Sequence, residues 1–296
     1  MRLRTLPLAA SCIVTGNGLA LHSLHHSSTT SFSWAVFGLT LLTTFLLQVL
    51  SNLANDYGDF SNGVDNDGRV GPERAMQSGA IAKSQMQKGL AICSALAFIS
   101  GVSLLWIALA SGGMFYSAIA LLLVGVVSIA AAFKYTVGKN PYGYRGLGDI
   151  AVIVFFGFVG VMGSNFLQTH TWDLTMLLPS LTIGCLSAAV LNLNNLRDHI
   201  NDAASNKNTL IVKIGFEKGK VYHYALFIVS FVSLASYLAV QQLLETKSWI
   251  ALMVFVLFIP HLKKVRVTKV PAELDSQLKV VALLTFLLSL VIFVLV

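Results

Sequence analysis

The chain has 296 residues, 55% of them hydrophobic and only 11% charged, with a mean hydropathy of +0.74; a soluble domain carries about 25% charged residues. That balance excludes a soluble protein, and no linker rich in Pro, Ser or Gln divides the apolar runs, so residues 1–296 read as a single integral membrane domain. A formal net charge of +7 and a pI near 9.4 would suit nucleic acid, but Lys and Arg in a membrane protein chiefly record topology, and no nucleic-acid partner is expected.

A bilayer crossing needs about 20 apolar residues. Nine windows qualify, at about 5 to 22, 33 to 53, 86 to 110, 114 to 134, 149 to 167, 174 to 195, 219 to 241, 247 to 262 and 277 to 296. The first follows M-R-L-R-T-L-P, and without a clear A-x-A site it is read as a span rather than a cleaved signal. The expected fold is an all-α, polytopic bundle of nine transmembrane helices. Nineteen of the twenty basic residues fall on one side of it and only Lys247 on the other, which puts the N-terminus in the cytoplasm. Cys12, Cys93 and Cys185 sit inside apolar runs with no C-x-x-C spacing, so neither disulfides nor a zinc site are implied.

The second span runs into N-L-A-N-D-Y-G-D-F-S-N-G-V-D, from Asn52 to Asp65. At 3.6 residues per turn Asn52, Asp56 and Asp59 share one stripe and Asn55 lies one turn before Asp59. Clustered oxygens of this kind suit Mg²⁺, which takes one or two carboxylates and leaves other positions to water and phosphate. A capped, solvated loop is the competing reading of this cluster alone. The sixth span ends in L-N-L-N-N-L-R-D-H-I-N-D, with Asn194, Asp198 and Asp202 four residues apart on one stripe. Two carboxylate-bearing helix ends on one membrane face repel each other without cations, so the pairing argues for metal, with Asn55, Asp56, Asp59, Asp198 and Asp202 as its ligands.

Phosphate needs basic partners. Arg74 follows the first cluster with Arg69, and Arg197 and Lys207 flank the second. Between spans four and five lies F-K-Y-T-V-G-K-N-P-Y-G-Y-R-G-L-G-D, from Phe133 to Asp149. Its Gly and Pro content describes a structured loop whose tyrosines, Tyr135 first, line a cavity with Lys134, Arg145 and Asp149 and stabilise a carbocation by cation–π attraction. An aromatic belt at the interface is the alternative.

These residues resemble the UbiA superfamily of intramembrane prenyltransferases over essentially the whole chain. The family's first motif, N-D-x-x-D-x-x-x-D, is matched by Asn55, Asp56 and Asp59, with Gly63 at its last position and Asp65 two places later. That form resembles the 1,4-dihydroxy-2-naphthoate prenyltransferase branch, as do R-x-R-T-L-P at Arg2 to Pro7, G-P-E-R-A-M-Q-S-G at Gly71 to Gly79 and N-N-L-R-D running to K-N-T-L, where Asn206 stands in place of the usual Gly.

The resemblance implies transfer of a polyprenyl chain from polyprenyl diphosphate to 1,4-dihydroxy-2-naphthoate, with loss of CO₂ and diphosphate, to give demethylmenaquinol at the cytoplasmic face of a bacterial inner membrane. It implies Mg²⁺ as cofactor and the lipid bilayer as surroundings. Arg4 or Arg145 would hold the acceptor carboxylate, Asn52 would contact substrate and Asp149 would assist phenol deprotonation. A prenyltransferase acting on 4-hydroxybenzoate, or a secondary transporter, are the alternatives.

Overall fold

The computed structural model describes residues 5–25, 31–64, 74–245 and 247–296; Arg4, Asp65 and Arg69 lie outside the described residues. The principal helices are α1 (Leu6–His25), α2 (Trp34–Ser61), α3 (Lys83–Ala108), α4 (Phe115–Lys134), α5 (Gly148–Thr169), α6 (Leu177–Ala204), α7 (Phe216–Val240), α8 (Ile259–Val267) and α9 (Asp275–Leu295). Short helical turns join several of them, and there is no strand among the described residues.

Seven helices among the described residues are long and apolar enough to cross a membrane: α2, α3 with the turn that follows it, α4, α5, α6 with the turn that precedes it, α7, and α9 with its leading turn. The two other expected spans are also helical but differ in kind. α1 carries Asn17 and His22 among its 20 residues. The segment at 247 to 262 is broken into short turns that lead into α8, whose Lys263, Lys264 and Arg266 lower its hydropathy.

Burial orders the bundle. The most apolar window of the α6 span is 67% buried, against 6% for α4, so α6 is the central helix and α4 faces outward. Around α6 pack α5, α7 and α9, with α1 against α9 and α5, while α2, α3 and α4 form the other side. The core between α6, α7 and α9 is built from Leu186, Leu193, Leu234, Leu238, Val281 and Leu288. Where α5 crosses α6 the backbones touch: a Cβ at Gly157 would lie 2.5 Å from the Ser180 carbonyl oxygen. Within α5, residues Ile153–Met162 adopt the wider π form, as helices often do beside functional sites.

Polar groups inside the bundle are paired across helices, as burial in an apolar medium requires. Asn192 on α6, His223 on α7, His261 on α8 and Gln277 on α9 form one chain of hydrogen bonds, each 2.9 Å long.

Candidate active site

The first acidic motif is helical. α2 continues past its apolar run to Ser61 and stops at Asn62, whose side-chain amide donates to the Thr136 carbonyl at 2.9 Å. Gly63 follows with φ +70, a left-handed conformation that costs glycine little; this accounts for glycine where the wider motif has Asp. The second motif occupies the last turns of α6, and Asn206 closes that end with φ 56, so the left-handed turn is kept by Asn in place of Gly. Asn201 donates to the Val64 carbonyl at 3.1 Å and so ties the two motif ends together.

Both motifs line one cavity of about 380 Å³ that runs from these helix ends down into the bundle. Asn52, Asn55 and Asp59 line it from α2, and Asn194, Asp198 and Asp202 from α6. Asp56, expected with them, is not among the residues that line it. It is turned to the neighbouring face of α2, about 100° away from Asn55, where its carboxylate meets Arg74 Nε at 3.2 Å.

Basic side chains hold the carboxylates in place. Arg74 donates from Nη1 to Asp59 at 2.8 Å. Lys207 Nζ lies 3.6 Å from an oxygen of Asp59 and 3.6 Å from one of Asp202, so a single ammonium spans the two motifs. Tyr144 donates to Asp59 at 2.6 Å and offers its ring to Lys207, 5.3 Å from the ammonium. Burial, and then the Asp59 charge, push the Tyr144 phenol well above its ordinary value, so it remains a donor. Tyr135 also lines the cavity, and burial followed by the charges of Asp149 and Asp59 pushes its phenol up in the same way.

Four expected site residues are elsewhere. Lys134 is exposed in the last turn of α4, and Arg145 is exposed on the turn Tyr142–Arg145, where its carbonyl accepts from Lys213 Nζ at 2.6 Å. Neither lines the cavity, whereas Tyr135 and Tyr142 beside them do. Arg197 was expected to contact phosphate, but it is fully buried behind the cavity wall. It donates to Asp198 from Nε at 2.7 Å and from Nη2 at 2.5 Å, to Asn194 at 2.9 Å, and to Asp275 on α9. Asp149 is buried in the first turn of α5 and accepts from Tyr222 at 3.3 Å, outside the cavity lining.

Sequence reasoning missed Tyr144 as an individual residue, and also Asp275, Gln48 and Thr5. Gln48 donates to Thr5 at 3.1 Å and to Asn52 at 3.3 Å. The spacing Gln48–Asn52–Asn55–Asp59 at helical period was the signal available for Gln48.

Among the described residues no three His, Cys, Asp or Glu side chains converge closely enough to hold a metal ion by themselves. The donors nonetheless suit Mg²⁺. They are carboxylate and amide oxygens, Asp202 Oδ2 is buried with no hydrogen-bond partner, and Mg²⁺ takes only one or two carboxylates when phosphate supplies the rest.

Fold and site together define an all-helical protein with apolar spans whose ionic cluster caps an elongated, largely apolar cavity. The UbiA prenyltransferase family profile matches residues 18–280, and the chain belongs to that family. It is 41% identical, over 97% of this chain and 91% of the other, to 1,4-dihydroxy-2-naphthoate octaprenyltransferase of Haemophilus influenzae. It is 46% identical, over 79% of this chain and 73% of the other, to the protein of that name in Escherichia coli. The fold is shared with a UbiA homologue from Aeropyrum pernix, with a TM-score of 0.69 at 14% identity over 98% of this chain and 99% of that one. A UbiA homologue from Archaeoglobus fulgidus, bound to DMAPP and Mg²⁺, matches with a TM-score of 0.56 at 15% identity over 99% of both chains.

Proposed function

We propose that this protein transfers a polyprenyl chain from polyprenyl diphosphate to 1,4-dihydroxy-2-naphthoate, releasing diphosphate and CO₂ and giving demethylmenaquinol. The observation that carries the reading is the span of Lys207 between Asp59 and Asp202, which brings both acidic motifs to the mouth of one apolar cavity. Named relatives at 41% and 46% identity support the acceptor.

The chain's own residues divide the work. Leu104, Leu121 and Leu167 offer the donor tail an apolar channel, while Asn55, Asp59, Asp198 and Asp202 line its mouth and would hold Mg²⁺ for the diphosphate. The metal held there would supply neutralisation of the charge that develops on the departing diphosphate. Lys207 and Arg74 stand at the same place and stabilise that charge further. Tyr135 and Tyr142 line the cavity and would stabilise the allylic cation while water is excluded. Attack at the ring carbon bearing the carboxylate loses CO₂, so no ring proton has to be removed there.

We propose further a single multi-pass domain with nine spans, an N-terminus in the cytoplasm and an active site on the cytoplasmic side of a bacterial inner membrane; the distribution of Lys and Arg supports that orientation. The deciding experiment offers purified protein in lipid nanodiscs a polyprenyl diphosphate with either 1,4-dihydroxy-2-naphthoate or 4-hydroxybenzoate, with and without Mg²⁺. The expected result is Mg²⁺-dependent prenylation of the naphthoate with one CO₂ per product. Product from 4-hydroxybenzoate alone would overturn the acceptor assignment, and no product from either would overturn the enzyme reading.

A further inference from the structure

Beneath the ionic cluster the cavity wall carries a second polar layer, and it is uncharged. From α2 and α1 come Asn52, Gln48 and Thr5, already bonded to one another, with Asn52 Nδ2 donating to Thr5 Oγ1 at 3.3 Å. From α6 come Asn195 and Ser187, which are not. Asn195 is 5% exposed and Ser187 3% exposed, both line the cavity, and neither side chain has a hydrogen-bond partner among the described residues.

The two helices repeat one design. Asn52 precedes Asp59 by seven residues and Asn195 precedes Asp202 by seven; Gln48 precedes Asp59 by eleven and Ser187 precedes Asp198 by eleven. At 1.5 Å per residue these steps set Asn52 and Gln48 about 10 and about 16 Å below Asp59, and Asn195 and Ser187 about 4 and about 16 Å below Asp198.

A buried donor or acceptor without a partner costs about 1–3 kcal/mol. A hydrocarbon tail would leave Asn195 and Ser187 in that condition, since an isoprenoid carries no hydrogen-bonding atom. We infer that these groups form the acceptor subsite, in which the Asn195 amide pairs with one ring hydroxyl of the aromatic acceptor and Ser187, about 12 Å further along α6, faces the other. The inference rests on the prenyl-transfer reading above.

The charge pattern orients the ring. A carboxylate buried among neutral amides would lose its hydration without a counter-charge, whereas a phenolic hydroxyl both donates to and accepts from an amide. The hydroxyl edge therefore lies at Asn195 and the carboxylate edge points up toward Lys207. That pose leaves the carboxylate-bearing carbon toward the diphosphate end of the donor.

The test compares wild type, Asn195→Leu and Ser187→Ala in nanodiscs, with 1,4-dihydroxy-2-naphthoate and its mono-O-methyl ethers as acceptors. Wild-type turnover of the naphthoate tests the prenyl-transfer reading by itself. Given that turnover, Asn195→Leu should raise the acceptor KM about tenfold while leaving the donor KM unchanged. It should also narrow the preference of the wild type for the free hydroxyl over its methyl ether. Ser187→Ala, a smaller change with little risk to folding, should move the acceptor KM in the same direction by less. A rise in donor KM with acceptor KM unchanged in Ser187→Ala would assign this layer to the prenyl tail and overturn the inference; so would identical hydroxyl-to-ether preference in all three proteins.

Discussion

Asp275, in the first turn of α9, is ion-paired with the fully buried Arg197 on α6, which in turn holds Asp198 of the second acidic motif. The last helix thereby sets the charge balance of a site built 78 residues earlier. With Asp275→Asn the guanidinium would be balanced by Asp198 alone, and Asp198 would be less available to a cation. The Mg²⁺ concentration for half-maximal activity should rise about tenfold, as for other residues that orient a metal ligand. Titrating activity against Mg²⁺ checks this, and an unchanged half-saturation point would contradict it.

Removing either motif carboxylate should stop turnover. Asp59→Asn and Asp198→Asn preserve shape, and each should lower kcat at least about a hundredfold, the loss typical of a group that stabilises transition-state charge. Asp59→Ala and Asp198→Ala should be equally inactive while still inserted in the membrane. The melting temperature of Asp59→Ala should also fall, because Arg74 and Lys207 lose a shared anion. Initial rates and melting curves in detergent measure both effects.

Tyr144→Phe removes one hydrogen bond to a charged acceptor, about 1.5–3 kcal/mol, so kcat/KM should drop about ten- to a hundredfold. The pH dependence follows from the raised phenols, with Tyr142 pushed up to about 12 by burial and Tyr144 raised by burial and by Asp59. A raised phenol contributes stability that is fully present below its ordinary value of about 10 and is lost only as pH climbs through the folded-state value. Between about pH 7 and 9.5 the wild type and Tyr144→Phe should therefore give parallel activity profiles. An alkaline fall present only in the wild type would show that Tyr144 titrates in this range.

Gly58 packs directly against the segment after α4. A Cβ there would meet Thr136 Oγ1 at 2.4 Å and the Thr136 backbone carbon at 2.7 Å. Gly58→Ala should cost about 1–3 kcal/mol and displace the neighbouring Asp59. Gly38, on the same helix, has open space around it, and Gly38→Ala should be neutral or stabilising by up to about 1 kcal/mol. Thermal unfolding of the two variants side by side gives the comparison.

Much of this protein was legible before any coordinates. The seven apolar helices were visible because a bilayer demands long uninterrupted hydrophobic runs, a constraint on composition that needs no tertiary information. The acidic motifs stood out because carboxylates at helical spacing beside apolar runs are costly and rare. The helix end at Gly63 and the Asn206 turn were readable too, since left-handed backbone selects Gly and Asn locally.

What the tertiary structure decided was which charges face inward. Lys134, Arg145, Arg197 and Lys207 are equivalent to a sequence reader as cations near a membrane surface. Only packing makes Lys207 the bridge between Asp59 and Asp202, buries Arg197 against Asp275, and leaves Lys134 and Arg145 at the surface. Likewise the 3.6-residue period placed both Asn55 and Asp56 near Asp59, and only packing puts Asn55 on the cavity wall and Asp56 against Arg74. Local pattern determines where helices run and where they end, because those depend on neighbours a few residues away. The partner of a side chain depends on which helices meet, and Lys207 meets Asp59 from 148 residues away.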